Sequence, residues 1–564
     1  MPKVHVLQGP SSTSPPSREP PHRTVSFCRY SCIYSIGYVV NLILIPFKAY
    51  ISEPLPWMLQ PVSLNTTWLT AKDSTSFAAF ANSSIAFFAS KYNQNTVPSD
   101  RVFTRDNEAN TYLLRFTIAL PPAGDNNCAN HMHRFPGAIF YSQGVAAFVC
   151  DFIAQNATSR LLRPMYACQY DTVAGVDIAT SCTWAIPTGE DPIISTYQMY
   201  HAVQLLETPF FCWLTFGVRL GLMGFIMYQL WHLYYRHYGP LLCNLQAIGL
   251  DDGGSIQSYV VQLGDPTWLI LSHPFMSLIM LLDCFLNVGP AGTASCRTSQ
   301  LTDVGQFCLG CLYGSRMVWA SYFTMRYSTP LVKYMHWENY FQPVDPGVMA
   351  LTASVYAGPV MYMTTGTPIV QLFQRINYAV VPPTLTHERV EGTISMLVIL
   401  LLFASVPLVN SFVAQYVNRN HTKFKPTVTE NFGTTRFNDW KHRCLFWFRR
   451  LTLCSKNEGG SMYHLFAENP RYKKFPLVST RGSDCFVYGW DDAADAYVHQ
   501  VRLSLMHAAL DRQTICPALA ILICPSAHPA FAAGTVNAHS CNQWPPPPSG
   551  SIVHFGAKCC QWVQ

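Results

Sequence analysis

Three charged side chains lie inside stretches of the chain that are otherwise apolar and uncharged: Arg219, Asp283 and Arg316. An ionisable group at the centre of a bilayer costs at least about 2.5–3.5 kcal/mol, so each should face protein and find a partner there. At about 1.5 Å per helical residue, the two arginines lie roughly 17 Å and the aspartate roughly 9 Å from the same membrane surface. A guanidinium can extend over that difference. We therefore predict that Asp283 pairs with one or both arginines, either as a clamp between helices or in a path for a solute or ion.

A second candidate feature is a set of helix breakers in the uncharged stretch 346–373, which contains Gly358, Pro359, Gly366 and Pro368. A proline inside a helix removes one backbone donor and leaves carbonyls of the preceding turn without partners. At bilayer depth such freed groups persist only where protein or water satisfies them, and transporters build solute sites from broken helices of this kind. The stretch is predicted to be a broken helix, with a plain proline kink as the alternative.

Pairs of glycines spaced four residues apart occur in two of the apolar stretches. Gly217 and Gly221 form one pair, and Gly310 and Gly314 form the other. Small residues at this spacing lie on one face of a helix and allow a neighbouring backbone to approach closely. We expect both pairs to lie at contacts between helices.

No residue pattern supports catalysis, a metal or an organic cofactor. Cys128 is followed by His131 and His133, but two histidines beside a cysteine that is expected to be disulfide-bonded make a poor metal-ligand set. The sequence contains no His-Glu-x-x-His zinc motif, no Gly-x-Ser-x-Gly motif and no phosphate-binding loop. The chain is therefore predicted not to be an enzyme and to bind no metal or cofactor.

The elements that must position these residues are long apolar segments. Charged residues make up 12% of the chain, about half of the roughly 25% that is usual for soluble domains. The strongest segment, 393–414, contains no Asp, Glu, Lys or Arg, and its length suits a hydrocarbon core of about 30 Å. These features predict an α-helical polytopic membrane protein with about six transmembrane helices. The expected spans are 30–47, 208–233, 266–289, 304–325, 346–373 and 393–414.

The assignments of two segments, 30–47 and 514–536, have alternatives. The first span, 30–47, is interpreted as an anchor, because the arm before it is long for a signal peptide; a cleaved signal is the rival interpretation. Residues 514–536 are uncharged but contain three prolines, which would break a helix there. We therefore assign 514–564 to a low-complexity, disordered tail rather than to a further span.

Residues 50–206 are predicted to fold as an extracytoplasmic α/β domain. Thr111–Leu120 has the composition of a strand, and 74–92 and 142–155 have helical spacing of apolar residues. Glycosylation motifs and an even number of cysteines in one segment indicate an oxidising compartment. Two disulfides are expected, with the pairing left open among three alternatives. The candidate glycosylation sites are Asn65, Asn82 and Asn156, and the candidate disulfide cysteines are Cys128, Cys150, Cys168 and Cys182.

The charge distribution predicts the orientation. Residues 417–474 contain twelve Lys or Arg and four acidic residues, which by the positive-inside rule places this segment in the cytoplasm. Six spans then place both termini in the cytoplasm, with a disordered basic arm at 1–29 and a basic domain at 417–513. Within that domain, 438–454 interleaves aromatic and basic residues, which suits either an anionic lipid surface or a buried aromatic helix. A basic patch beside a span is explained by lipid, so no nucleic-acid partner is expected.

The functional hypothesis is a multi-pass protein that senses an unidentified extracellular ligand through its extracytoplasmic domain. A module of this size is more than a passive loop requires. The alternative is a solute transporter or ion channel that uses Arg219, Asp283, Arg316 and the broken helix. The expected location is the plasma membrane or an endomembrane of the secretory route.

Overall fold

The structure is a computed structural model that describes most of the chain between residues 23 and 511. The N-terminal arm, Asn65, the segment 438–454 and most of the expected tail lie outside the described residues. The described ranges are 23–60, 74–188, 195–247, 249, 256–422, 456–511, 521–523, 552–554 and 561–563, with gaps at 94, 99–100, 126, 134, 136, 163–165, 461, 464–465, 467–468 and 493–494.

The described residues form helices and two β-sheets. The strands are β1 Thr24–Phe27, β2 Phe103–Asp106, β3 Thr111–Leu120, β4 Tyr166–Val173, β5 Val176–Pro187, β6 Ser195–Leu205, β7 Ser258–Gln262, β8 Arg389–Glu391, β9 Lys456–Gly459, β10 Cys485–Asp491, β11 Ala496–Leu505, β12 Ile521–Ile523, β13 Ile552–His554 and β14 Trp562–Val563. The helices are α1 Arg29–Ile43, α2 Ser74–Lys91, α3 Ala129–Met132, α4 Gln143–Ala154, α5 Ala157–Leu162, α6 Pro209–Leu233, α7 Tyr238–Ala247, α8 Thr267–Leu271, α9 Pro274–Leu286, α10 Val288–Thr298, α11 Val304–Gly314, α12 Val318–Tyr327, α13 Thr329–Tyr334, α14 Pro346–Val355, α15 Met361–Thr365, α16 Ile369–Tyr378, α17 Thr393–Thr422 and α18 Met506–Ala509.

The first sheet has six strands in the order β2-β3-β6-β5-β4-β8. Its strands pair antiparallel except for β8, which runs parallel to β4. The segment Thr111–Leu120 forms the predicted strand, β3, and the two predicted disulfides are confirmed: Cys128 bonds to Cys150, and Cys168 bonds to Cys182 across the β4–β5 ladder. Helix α2 covers one face of the sheet with Phe80 and other aromatic side chains.

The second sheet has eight strands and joins distant parts of the chain. Its order is β1-β7-β10-β11-β14-β13-β12, with β9 also paired to β11. Strand β7 therefore lies between a strand near residue 25 and a strand near residue 488. Val478, in the segment before β10, forms an isolated bridge with Val344. Trp562 of β14 is completely buried against Tyr234 and Tyr238.

The prediction of about six transmembrane helices is wrong. Among the described residues, two helices are long and apolar enough to cross a membrane, Pro209–Gln246 and Thr393–Val417. The number rises to four only if each of two bent pairs counts as one span. These pairs are Arg29–Ile43 with Pro46–Met58, bent by 67°, and Pro274–Leu286 with Val288–Thr298, bent by 75°.

The segments expected as spans at 304–325 and 346–373 are interrupted. A 3₁₀ turn at Ser315–Met317 separates α11 from α12. A π-helical turn at Tyr356–Val360 and a break at Gly366 divide the other segment into α14, α15 and α16. Hydropathy measures how apolar a segment is but not whether its helix is continuous. Short apolar helices packed in a protein interior therefore resemble spans in sequence.

Two long helices run from the first sheet towards the second. Helix α6 begins at Pro209, directly after β6, where Thr208 accepts a hydrogen bond from the Phe211 amide. Helix α17 begins directly after β8. The 25 residues of α6 extend over roughly 37 Å. The two sheets therefore lie at opposite ends of a helical layer.

Candidate functional site

One candidate binding site is a cavity of about 530 Å³ between the first sheet and the helical layer. Strands β4, β5 and β6 form one wall, and α10, α11, the π turn and α17 form the other. The volume lies within the roughly 300–1,000 Å³ that is typical of small-molecule sites. A ligand in this cavity would contact both the sheet and a candidate membrane-spanning helix.

The small residues of α10 explain why the space remains open. This helix follows α9 after a 75° bend and lies across the sheet with the sequence VGPAGTASCRT. A Cβ atom added to Gly292 would meet nothing closer than the Phe140 ring at 3.9 Å. By contrast, a Cβ on Gly310 would lie 2.9 Å from the Ala294 carbonyl oxygen, so this glycine allows α11 to pack closely on α10.

The sheet wall of the cavity contains polar side chains. Asp171 is half-buried, and its carboxylate accepts hydrogen bonds from Gln169 Nε2 at 2.7 Å and Ser181 Oγ at 3.1 Å. Burial raises the pKa of Asp171 to about 7. His201 is buried, its Nδ1 lies 2.9 Å from Thr183 Oγ1, and burial lowers its pKa to about 4. The imidazole is therefore neutral near pH 7, whereas the carboxyl titrates there.

The helical wall is mostly apolar. Its largest contribution comes from one side of α17, whose exposed opposite side also carries large apolar side chains such as Leu401 and Phe412. The cavity therefore borders a helix that is itself a candidate for lipid contact. The α17 residues that line the cavity include Met396, Ile399, Leu402, Phe403, Val406 and Val409.

A second buried polar centre, the ion-pair ring, consists of Glu53, Arg219, Asp283 and Arg316. Arg219 donates to both Asp283 oxygens, with Nη2–Oδ1 at 2.9 Å and Nη2–Oδ2 at 3.2 Å, and also pairs with Glu53. Arg316 Nη1 lies 2.9 Å from Glu53 Oε1, and its Nη2 pairs with Asp283. Each carboxylate thus contacts both guanidinium groups, and none of the four residues is more than 6% exposed.

Neighbouring side chains complete the hydrogen bonding of the ring. Tyr313 donates to Glu53 at 2.6 Å, and Asn287 donates to Asp283 Oδ1 at 3.2 Å. The guanidinium of Arg219 also stacks over the Tyr50 ring at 5.0 Å. Two positive and two negative charges cancel within the ring. This arrangement is suited to fastening helices together, because a buried charge is tolerated when it is paired and hydrogen-bonded.

The structure brings together the three charged residues that the sequence singled out and adds Glu53, which the sequence analysis missed. Glu53 lies 166 residues before Arg219 and 263 before Arg316. It is the only acidic residue between Glu19 and Asp73. This isolated carboxylate next to an apolar segment was the signal in the sequence that could have identified Glu53 as a partner of the arginines.

The helix-breaking residues lie beside the cavity and not in the ring. Gly358 and Pro359 belong to the π turn, whose Tyr356, Ala357 and Val360 line the cavity. A Cβ on Gly358 would lie 2.1 Å from Cys311 Sγ, so the turn packs tightly on α11. Gly366 and Pro368 are exposed at the break before α16.

Two of the candidate glycosylation sites, Asn82 and Asn156, lie within the described residues, at the surface of the first-sheet region. Asn82 is exposed on α2, and Asn156 is exposed where its Oδ1 accepts the Ser159 amide at 2.8 Å at the start of α5. In the described part of the chain, no group of three or more His, Cys, Asp or Glu residues could hold a metal ion. The chain matches no protein-family model, no curated protein and no solved structure, so its interpretation depends on these two polar centres.

Proposed function

We propose that the protein is a membrane-associated, receptor-like protein that binds a small apolar molecule in the cavity between the first sheet and the helical layer. The observation that carries this proposal is the cavity itself: about 530 Å³, mostly apolar, and walled by both layers of the protein. Pockets of this size and character are the usual sites of small-molecule binding.

The position of the cavity supports sensing. A ligand shifts a conformational equilibrium only by the difference in its affinity for the two conformations. A molecule between β4–β6 and α17 contacts both layers, so any change in their spacing changes its contacts. Ligand binding would therefore be coupled to the position of α17 relative to the first sheet.

Membrane association is supported by the two candidate spans and by large apolar side chains on their surfaces. On α6, Phe210 is 78% exposed and Trp231 is 65% exposed. We place the two sheets on opposite sides of a plasma or secretory-route membrane. The disulfides and candidate glycosylation sites favour the oxidising side for the first sheet, and the basic residues of 417–474 favour the cytoplasm for the second.

The ion-pair ring supports a structural role rather than a path for a solute. Every carboxylate oxygen of Glu53 and Asp283 contacts an arginine, and the set is almost fully buried. A transport path through Asp283 would require these contacts to open, at the cost of uncompensated buried charges. The ring therefore gives no support to a transporter or channel.

The proposal is tested by photolabelling the cavity and by filling it with a larger side chain. The full-length protein in nanodiscs of a zwitterionic lipid is labelled with a diazirine-bearing twelve-carbon alcohol, and the labelled peptides are mapped by mass spectrometry. We expect labelling within 288–298 and 393–410 that falls at least about tenfold in Gly292→Leu, because the leucine occupies the open space beside α10.

The control is Gly221→Leu, which makes the same change in a helix where an added Cβ meets nothing within 4 Å. Gly221 is exposed on α6 and does not line the cavity. This variant should label as the wild type does. Equal labelling in both variants, or labelling confined to lipid-facing residues, would contradict the proposal.

A further inference from the structure

Polar and apolar side chains are segregated in the cavity. The sheet wall carries Asp171, Thr172 and His201, whereas the facing wall from α17 is largely apolar. Thr172 Oγ1 is engaged by the Val390 carbonyl at 2.9 Å and by Glu391. A ligand that fills this space would meet hydrogen-bonding groups at one end and hydrocarbon along most of its length.

Asp171 is the charged side chain on the sheet wall that retains capacity for a ligand. A carboxylate has about four acceptor sites, and the described contacts of Asp171 are those with Gln169 and Ser181. Among the described residues that line the cavity, none is Lys or Arg. No cation of the cavity wall therefore balances the charge that Asp171 carries when it is ionised.

The surroundings of Asp171 disfavour a second negative charge. Burial raises the pKa of Asp171 to about 7 even though Gln169 and Ser181 donate hydrogen bonds to the carboxylate, and an adjacent anion would add repulsion between like charges. A positive group would be attracted to the carboxylate, and a hydroxyl could donate a hydrogen bond to it. His201, on the same wall, is neutral near pH 7 and adds no cation to attract an anionic head group.

On the basis of the proposed function, we infer that the cavity takes a single-chain amphiphile whose head group donates a hydrogen bond to Asp171 while its hydrocarbon chain lies along α17. A long-chain amine fits this site best, a long-chain alcohol fits second, and a fatty acid is disfavoured. Between Met396 and Val409 the apolar wall extends over roughly 20 Å, long enough for one extended alkyl chain.

The test compares three ligands that share a chain and differ only in the head group. Dodecylamine, 1-dodecanol and dodecanoic acid compete with the photoreactive alcohol for the wild-type protein in nanodiscs at pH 8. We expect half-maximal competition by the amine at a concentration at least about tenfold below that of the acid. In Asp171→Asn the difference between amine and acid should shrink to about threefold or less, because the carboxylate charge is removed.

The matched control is Asp177→Asn, the same substitution in the adjacent strand β5. Asp177 pairs with Arg389 at 3.2 Å and does not line the cavity. This variant should keep the full preference of the wild type. The ranking of the three ligands in the wild type tests the inference even if Asp171→Asn folds poorly.

The outcomes separate the inference from the proposed function. Equal competition by all three ligands, or strongest competition by dodecanoic acid, would overturn the role of Asp171 while the cavity would remain a binding site. If none of the ligands competes and Gly292→Leu labels as the wild type does, both proposals fail. A preference for the amine that persists in Asp171→Asn would also contradict the inference.

Discussion

The ion-pair ring and the cavity of this protein accommodate their carboxylates in opposite ways. The ion-pair ring balances Glu53 and Asp283 with two arginines and leaves the four residues almost without solvent exposure. The cavity leaves Asp171 with two neutral donors beside open space. A balanced centre can hold helices together, whereas an unbalanced centre beside a cavity can recognise a ligand. Each ring carboxylate has two guanidinium partners, whereas the described hydrogen bonds of Asp171 come from two neutral side chains.

The largest expected effect comes from opening the ring. Arg219→Ala removes the guanidinium that contacts both carboxylates and leaves two negative charges against one positive charge. Breaking a buried ion pair in this way typically costs about 3–5 kcal/mol. We expect a comparable loss in the free energy of unfolding, measured by denaturant titration of the protein in detergent micelles.

A double variant sharpens that measurement. Arg219→Met combined with Asp283→Leu removes one charge of each sign and leaves Glu53 paired with Arg316. It should lose less stability than Arg219→Ala alone, because no net charge remains buried. A double variant that is less stable than the single variant would show that the ring does not act as a balanced unit.

The second effect concerns the sheet that carries Asp171. Replacing both Cys168 and Cys182 by alanine removes a disulfide across 14 residues, which should cost about 3 kcal/mol. Because Cys168 lies just before Asp171 in β4, photolabelling of the cavity should also weaken.

The comparison variant replaces Cys128 and Cys150, whose disulfide spans 22 residues and joins α4 to the segment before α3. It should lose similar stability but retain more labelling, because neither cysteine lies on a strand of the cavity wall. Equal loss of labelling in both variants would indicate a general loosening of the first sheet.

A smaller effect is expected at the π turn. Gly358→Ala places a Cβ 2.1 Å from Cys311 Sγ, and overpacking of this kind costs about 1–3 kcal/mol. The matched control is Gly217→Ala in α6, where an added Cβ meets nothing within 4 Å. That substitution should be neutral or stabilising by up to about 1 kcal/mol. Equal thermal unfolding midpoints for the two variants would contradict the close packing of the turn on α11.

The last expected effect is a pH dependence of stability that arises from Asp171. The pKa of Asp171 is raised to about 7 in the folded protein from an ordinary value of 3.8. The folded state therefore holds this proton more tightly, and its stabilising effect is lost as the pH rises between those values. Relative to Asp171→Asn, the wild type should lose stability from about pH 4 to pH 7 and then remain constant, as measured by thermal unfolding across that range. A difference between the two proteins that is constant over the whole range would contradict this assignment.

The sequence predicted best what depends on local pattern. Strand β3 follows from the composition of its segment, and the disulfides follow from an even set of cysteines in one segment. The sequence did not distinguish continuous spans from short apolar helices, because both are equally free of charge. The spacing of the glycine pairs likewise did not show which pair packs against another helix. Gly310 and Gly314 lie at close helix contacts, whereas nothing lies within 4 Å of a Cβ added to Gly217 or Gly221.

The candidate site was predicted only in part, because its members are distant in sequence. Charges inside apolar segments identified Arg219, Asp283 and Arg316, but Glu53 enters the ring through a turn that no periodicity indicates. Asp171 lies on strand β4, whose sequence does not single it out. Only the fold shows that it lines a cavity, because α10 and α17 form the facing wall.

The central position of β7 has a consequence for biosynthesis. One of its neighbours, β1, lies 234 residues earlier in the chain, and the other, β10, is synthesised only after a similar length of polypeptide has followed. During translation, the hydrogen-bonding edge of β7 that faces β10 has no partner until the ribosome reaches about residue 490. An unpaired edge of this kind invites pairing with other chains. Premature termination before β10 would therefore release a fragment prone to aggregation, which makes this strand a natural point for chaperone protection.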